Sequence, residues 1–350
     1  MAFASPQYKR GEINRAGDFL AGRRASTEAE HKWAQAVLAN FRGSHAYPIN
    51  TFQALLRKKL KTVDPNALVA QRLKRAPSVL FKLQRYKDMQ LARMQDIGGL
   101  RAVVGTIRSV RRLEQEYRHA SFKHTLVSSK DYITQPKADG YRSVHLIYKY
   151  RNPRAPAYAG LQLELQLRTK LQHAWATAVE TMGTFLGQAL KAGQGDKGWK
   201  EFFAAASAAL ALVEKSPPVP GYEGMSAESI IRRVADLESE LRVLDKLSGF
   251  AIAADSIRKQ SGQGAYHLVV LNSSARTVLI RPFALARLDE ANAAYAAVEA
   301  RASAGEPVEA VLVSAGPIDA LQKAYPNYFL DTQAFVAQIR KLIRSRITQL

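Results

Sequence analysis

The stretch LQLELQLRTK, residues 161–170, sets leucine at 161, 163, 165 and 167 against Gln162, Glu164, Gln166 and Arg168. A period of two is the mark of a strand with one apolar and one polar face. The four leucines anchor such a strand on helices. Its other face looks at solvent or into a cleft, and Glu164 stands at the centre of that face. For one strand alone, a solvated sheet face is explanation enough.

A second acid changes the balance. In MQDIGGLRAVV (94–104) Asp96 stands just before another strand, Gly98-Gly99 allows close backbone approach, and Arg101 follows within the strand. Two carboxylates brought together from separate strands suit a hard divalent ion such as Mg²⁺. One of them can also take a proton from a hydroxyl nucleophile. The plain alternative for Asp96 is a turn or cap residue.

Two further segments carry chemistry. RLKRAPSVLFKLQR (72–85) supplies Arg72, Lys74, Arg75, Lys82 and Arg85, and a helix over 78–86 sets Ser78, Lys82 and Arg85 on one side. Cations so placed clamp phosphates, or simply form an exposed basic face. KDYITQPKADGYRSVHLIYKY (130–150) has a loop with Pro136, Lys137 and Gly140 between Tyr132 and Tyr141. An aromatic on a loop rim stacks on a base or packs within a hairpin. His145 lies on the strand face opposite Val144 and Leu146.

The remaining pattern is helix-rich. Capped helical periodicity runs over 26–43, with Ser26 or Thr27 as N-cap and Gly43 at the end. Residues 1–30 are polar and begin irregularly. Helices are expected over 50–61, 66–90, 108–120, 169–191 and 199–214, and strands at 99–107, 124–129, 143–150 and 161–168. KSPPVPGYEG (215–224) reads as a linker. One or two helices follow over 226–259, then a hairpin at 266–283 around NSSA, a helix at 289–302, a strand at 309–316 and a closing helix at 332–347. These shifts suggest domains at 1–215 and 261–350, joined by helices in 216–260.

Of 350 residues none is cysteine, which excludes disulfides, thiol catalysis and thiolate zinc sites and fits a reducing cytoplasm. No run approaches 18 apolar residues, so no membrane partner is expected. The N-terminus has no apolar core of a secretory signal. The net charge is +21. Residues 1–200 hold 35 Lys/Arg against 14 Asp/Glu, and residues 201–350 hold 16 of each. The whole excess therefore lies in the first part of the chain, which points to an anionic partner or substrate there.

In order, RLKRAPSVLFK, DIGGLR, DYITQPKADGYRSVH and ELQLRT resemble the motifs of the RelA/SpoT-type synthetase domain over about residues 66–185. The resemblance implies an α/β (α+β) fold with a mixed sheet flanked by helices, akin to nucleotidyltransferases. It implies transfer of the β,γ-pyrophosphate of ATP to a ribose 3′-hydroxyl with Mg²⁺. By position, Asp96 and Glu164 would be the catalytic and metal-holding acids. Arg72, Lys74, Lys82, Arg101 and Lys130 would hold ATP, with Lys130 where housekeeping members tend to have Arg. Lys137, Tyr141, His145 and Gln166 would face the acceptor. The ending of the helix after ELQLRT departs from the usual E-x-x-H style, since Val179-Glu180-Thr181 offers no histidine, and no paired His-Asp signature of a hydrolase domain is present.

HAWATAVETMGTFLGQALKAGQGD (173–196) and YPNYFLDT (325–332) are similar to the CapRel-type fused toxin–antitoxin proteins of phage defence. That likeness implies a small C-terminal α+β regulatory domain of pseudo-zinc-finger type; within it Tyr325 and Tyr328, three apart on one helical turn, either occupy the adenine pocket or are core aromatics of the small domain. It also implies tRNA, at its 3′-CCA end, as acceptor and a phage structural (capsid) protein as activator. The basic first part of the chain favours tRNA independently. Alternatives are GTP or GDP as acceptor, giving the alarmone (p)ppGpp, and a catalytically silent nucleic-acid-binding sensor. The sequence leaves the oligomeric state open.

Overall fold

The computed structural model describes residues 3–118, 123–186, 197–259, 264–272, 275, 277–314, 318 and 328–347. By compactness the chain forms two units, one of residues 1–133 with 143–170, the other of residues 134–142 with 171–350.

The first unit is built on a five-stranded mixed sheet of order β1-β2-β5-β4-β3. Its strands are β1 (Leu68–Leu73), β2 (Gly98–Val104), β3 (Thr125–Asp131), β4 (Val144–Lys149) and β5 (Gln162–Thr169). β2 and β5 run parallel and all other pairs are antiparallel. The stretch that opened the sequence thus forms the central strand. Its Leu163, Leu165 and Leu167 join Leu100, Ala102, Val144, Leu146 and Tyr148 in one buried cluster. Helices α3 (Ala46–Val63) and α5 (Ile107–Arg118) close that face through Phe52, Leu56, Leu60, Val110, Leu113 and Tyr117. At Gly98 the approach is so close that a Cβ would lie 2.8 Å from Leu163 and 3.1 Å from His45 and Ile49.

A second cluster joins α1 (Arg10–Leu20), α2 (Glu28–Gly43) and α4 (Ala76–Arg85) through Ile13, Phe19, Val37, Phe41, Val79 and Leu83. Thr27 caps α2, as its sequence indicates: its hydroxyl accepts from the Glu30 N–H, and the Glu30 carboxylate accepts from the Thr27 N–H.

Two expectations fail here. Residues 10–20 are helical rather than irregular, because Ile13, Ala16, Phe19 and Leu20 recur on one face and are buried. The helix expected over 66–90 is instead strand β1, a turn and α4. β1 lies at the sheet edge with most of its residues exposed or half-buried, so its alternation carries little hydrophobic contrast.

The second unit contains helices α6 (Lys170–Phe185, from Leu171 onward), α7 (Lys197–Glu214), α8 (Ala227–Leu241) and α9 (Val243–Lys259). Arg242 separates α8 from α9 with a left-handed backbone, φ 52° and ψ 43°. A three-stranded antiparallel sheet of order β7-β6-β8 follows, from β6 (Tyr266–Asn272), β7 (Thr277–Phe283) and β8 (Val308–Ser314). Helix α10 (Leu288–Ser303) covers one face of it through Ala291 and Val298, which pack with Leu268, Val270 and Phe283. α9 lies against β6 and β7, and Leu271 fills the space where a Gly249 side chain would stand, 2.5 Å from an ideal Cβ.

The last helix, α11 (Tyr328–Ile347), packs on α8 and α9. Asp331 Oδ2 lies 3.2 Å from His173 Nε2, Thr332 pairs with Thr181 at 3.4 Å, and Phe335 lies 6.1 Å from Phe203. Among the described residues no helix is long and apolar enough to cross a membrane.

Candidate active site

The register of the five-stranded sheet decides which side chains share a face. Glu164 lies beside Gly99 on β2 and Ile147 on β4, and Gln166 lies beside Arg101 and His145. Across the next pairs, Gly99 faces Arg72 on β1, and His145 faces Lys130 on β3. Residues directly opposite share a side of a sheet. Arg72, Arg101, Glu164, Gln166, His145 and Lys130 therefore line one face, opposite the leucine cluster, across all five strands. At Gly99 an added Cβ would meet nothing nearer than the Glu164 carbonyl at 3.8 Å, so the floor beside Glu164 lies open.

Glu164 is held at both oxygens. Oε1 is 2.8 Å from His145 Nδ1, and Oε2 accepts from Gln166 Nε2 at 2.7 Å. Burial pushes its carboxyl up, but the hydrogen bond and charge of His145 outweigh burial and leave it below the ordinary value. The Asp96 charge, from a residue 68 positions away in sequence, works the other way and raises it. The carboxylate is ionised and aimed, as a proton acceptor should be.

Asp96 sits in a cradle of lysines. Its Oδ2 accepts from Lys74 Nζ at 2.7 Å and its Oδ1 from Lys82 Nζ at 2.9 Å. β1 delivers Lys74 from its end and α4 delivers Lys82 from its last turn. Burial opposes ionisation of Asp96, yet the two ammonium groups bring its carboxyl down to about 2. Lys74 is lowered in turn, because burial costs its ammonium more than Asp96 restores. A partly desolvated ammonium in a pocket is a strong point charge for phosphate oxygens.

Could the acids hold a cation? Among the described residues no group of three or more His, Asp or Glu gathers as a metal site. Mg²⁺ seldom needs one, since it is bound by one or two carboxylates with substrate phosphates and water. Asp96 and Glu164 are hard oxygen donors of the kind such an ion takes, and both Asp96 oxygens accept from lysines.

Lys137 and Tyr141 lie in the second unit. There the Tyr141 ring is buried, 6.4 Å edge-on from Trp175, with Lys137 Nζ 5.2 Å from its centroid. Gly140, at φ 89°, makes the turn before it, and a Cβ there would meet Ser207, the Phe203 carbonyl and Trp175 within 3.1 Å. Tyr325 lies outside the described residues. Tyr328 opens α11, and its side chain is likewise outside them.

Sequence reasoning missed two arginines. Arg168 continues the polar row of β5, is almost fully buried, and donates to Gln166 Oε1 at 3.3 Å. The alternation already places it on that face. Arg142 forms a buried ion pair with Glu214 at 2.7 Å and donates to Ser207 at 3.1 Å and Ser216 at 3.0 Å. Its partners are 65 to 74 positions away, so no local pattern announces it.

Residues 71–183 match the family model described as the region found in RelA / SpoT proteins. The chain carries a RelA/SpoT-type region. Over 116 residues it is 32% identical to GTP pyrophosphokinase YjbM of Bacillus subtilis (strain 168), an alignment of 33% of this chain and 54% of that protein. Over 149 residues it is 27% identical to a GTP pyrophosphokinase of Escherichia coli (strain K12), covering 41% of this chain and 18% of that one. The chain thus spans about half the length of the first relative and under a fifth of the second. Among solved structures it is similar to the small alarmone synthetase 1 from Bacillus subtilis bound to its product pppGpp, at 24% identity and a TM-score of 0.44 over 51% of this chain and 92% of that one. The RelA/SpoT-type region contains Arg72, Arg101, Lys130, His145, Glu164 and Gln166 of the sheet face and Lys74, Lys82 and Asp96 of the lysine cradle.

Proposed function

We propose that the chain is a pyrophosphokinase that moves the β,γ-pyrophosphate of ATP to a ribose 3′-hydroxyl. One observation carries this reading: an ionised Glu164, held by His145 and Gln166, shares a sheet face with Arg72, Arg101 and Lys130 and senses the Asp96–Lys74–Lys82 cradle. The matched RelA/SpoT region supports it.

In this reading Lys74, Lys82, Arg72 and Arg101 bind the triphosphate of ATP, with Lys130 at the far edge of the face. Glu164 accepts the proton of the 3′-hydroxyl at a carboxylate oxygen as that hydroxyl oxygen bonds to the β-phosphorus. The bond between the β-phosphorus and the α,β-bridging oxygen breaks, and AMP leaves. His145 and Gln166 keep the carboxylate oriented. Mg²⁺ held by Asp96 and Glu164 would supply neutralisation of the phosphate charge. Lys137 and Tyr141 serve the acceptor, Tyr141 as a stacking surface.

For the acceptor, the charge map supports the 3′-CCA end of tRNA, because a polynucleotide needs a basic surface and a nucleotide only a pocket. The printed names of the relatives support GTP or GDP. γ-Labelled ATP incubated with tRNA and with GDP or GTP separates the two. Label in tRNA with AMP release bears out the first, label in guanine nucleotide alone overturns it, and no transfer to any acceptor overturns the enzymatic reading. The charge-neutral remainder of the chain is assigned to regulation of a toxin in phage defence, with a capsid protein as trigger. Expression of a Tyr325→Ala, Tyr328→Ala variant tests this: growth should be more strongly arrested than with the parent, and unchanged growth with soluble protein contradicts it.

A further inference from the structure

The second unit holds a cavity of about 580 Å³ bounded by the start of α9, the β6–β7 hairpin end and one face of α11. Four cations line it: Arg242 and Lys246 from the α8–α9 junction, and Arg340 and Arg344 from α11. Residues four apart on a helix share a face, so the two α11 arginines point the same way.

One acid stands among them. Asp245 accepts from Arg242 at 2.9 Å through Oδ2 and from Arg340 at 2.9 Å through Oδ1. A carboxylate shared by two guanidinium groups, each with five donors, leaves most of those donors to other acceptors. The lining keeps a net charge of +3. The backbone of Arg242 is left-handed, at φ 52°, a conformation costly for a residue with a Cβ. That turn brings its guanidinium to Asp245 at the cavity rim. Ile252, Leu271 and Val278 supply the apolar part of the lining.

Residues 201–350 are electrically neutral overall, with 16 Lys/Arg and 16 Asp/Glu, yet a quarter of those cations border this one cavity. A nucleic-acid surface distributes its charge along a stripe. Here charge is concentrated in a concavity of small-molecule size beside an apolar wall. We infer that this cavity is a binding site for a nucleoside polyphosphate, the phosphates held by Arg340, Arg344, Arg242 and Lys246 and the base set against Leu271 and Ile252. It shares no lining residue with the Asp96–Glu164 site, and stands or falls independently of the acceptor assigned there.

Calorimetric titration of the full chain with GTP and with inorganic tripolyphosphate, at low and high salt, tests it. In a Lys74→Gln, Lys82→Gln background, which weakens the sheet-face cradle, a salt-sensitive binding event should remain. Adding Arg340→Gln and Arg344→Gln should weaken that event at least tenfold. Equal binding with and without the α11 substitutions overturns the proposal, as does complete loss of binding in the cradle variant. Hydrogen exchange of the unsubstituted chain provides a second reading independent of variant folding. GTP should protect amides in α9 and α11, and no protection there overturns the site. Weakened tRNA binding by the α11 variant without any polyphosphate binding also overturns it, in favour of a nucleic-acid surface.

Discussion

Two central strands, one in each unit, follow opposite rules. β6, YHLVVLN, is apolar on both faces from Leu268 to Leu271, since α10 covers one face of its sheet and α9 packs against the other. β5, QLELQLRT, is the middle of five strands and yet keeps four polar side chains on one face. Stability alone favours the β6 solution, because each polar group taken from water must be matched by a partner. In β5 three of the four find partners on the sheet: Glu164 in His145 and Gln166, and Gln166 in Arg101 and Arg168, whereas the buried Gln162 Oε1 has none among the described residues. A central strand that spends one face on hydrogen-bonded polar groups marks a working surface, and one whose middle is apolar on both faces marks a structural wall.

The sharpest way to break the comparison is to give β6 the feature β5 tolerates. Val269→Glu, at a fully buried position, should cost more than about 4 kcal/mol and unfold the C-terminal sheet, because burial strips the carboxylate of water. Loss of cooperative unfolding by circular dichroism would register it; a stable variant would show that β6 is no sealed wall. Next is Arg142→Ala, which leaves Glu214 buried without its main counter-charge and should cost about 3–5 kcal/mol in denaturant unfolding. Leu165→Ala, on the apolar face of β5, should cost about 3 kcal/mol. A change below 1 kcal/mol would mean that the leucine row is not the anchor.

The acid limb is smaller. The Asp96 carboxyl is brought from its ordinary 3.8 to about 2, so its stabilising ionisation is complete above about pH 4 and is lost as pH falls toward 2. Stability in that window should drop by roughly 2 kcal/mol more in the parent than in Asp96→Asn. Parallel pH profiles for the two would contradict the cradle.

Much of this site was legible because alternation is a local signal. The eight residues of β5 and the strand around Arg101 declare their faces without help. β1 was misread because an edge strand with little buried apolar surface has weak contrast between its faces, and its partner β2 begins 25 residues beyond its end. α1 was missed because its few apolar residues are diluted by charged ones. Asp96 was visible as an acid before a strand, but the two lysines that hold both its oxygens emerge only when β1 and α4 are folded. The Arg142–Glu214 pair belongs to the same class: it is a product of tertiary structure, and sequence spacing carries no trace of it.

The central claim is that the polar face of β5 is the floor of a pyrophosphate-transfer site with Glu164 as its proton acceptor. AMP release from ATP at saturating acceptor, measured side by side in the parent chain and in Glu164→Gln, tests it directly. The amide preserves size and hydrogen-bonding reach, so the unfolding midpoint should stay within a few degrees while AMP release falls about 100-fold or more. AMP release undiminished in a folded Glu164→Gln protein would contradict it.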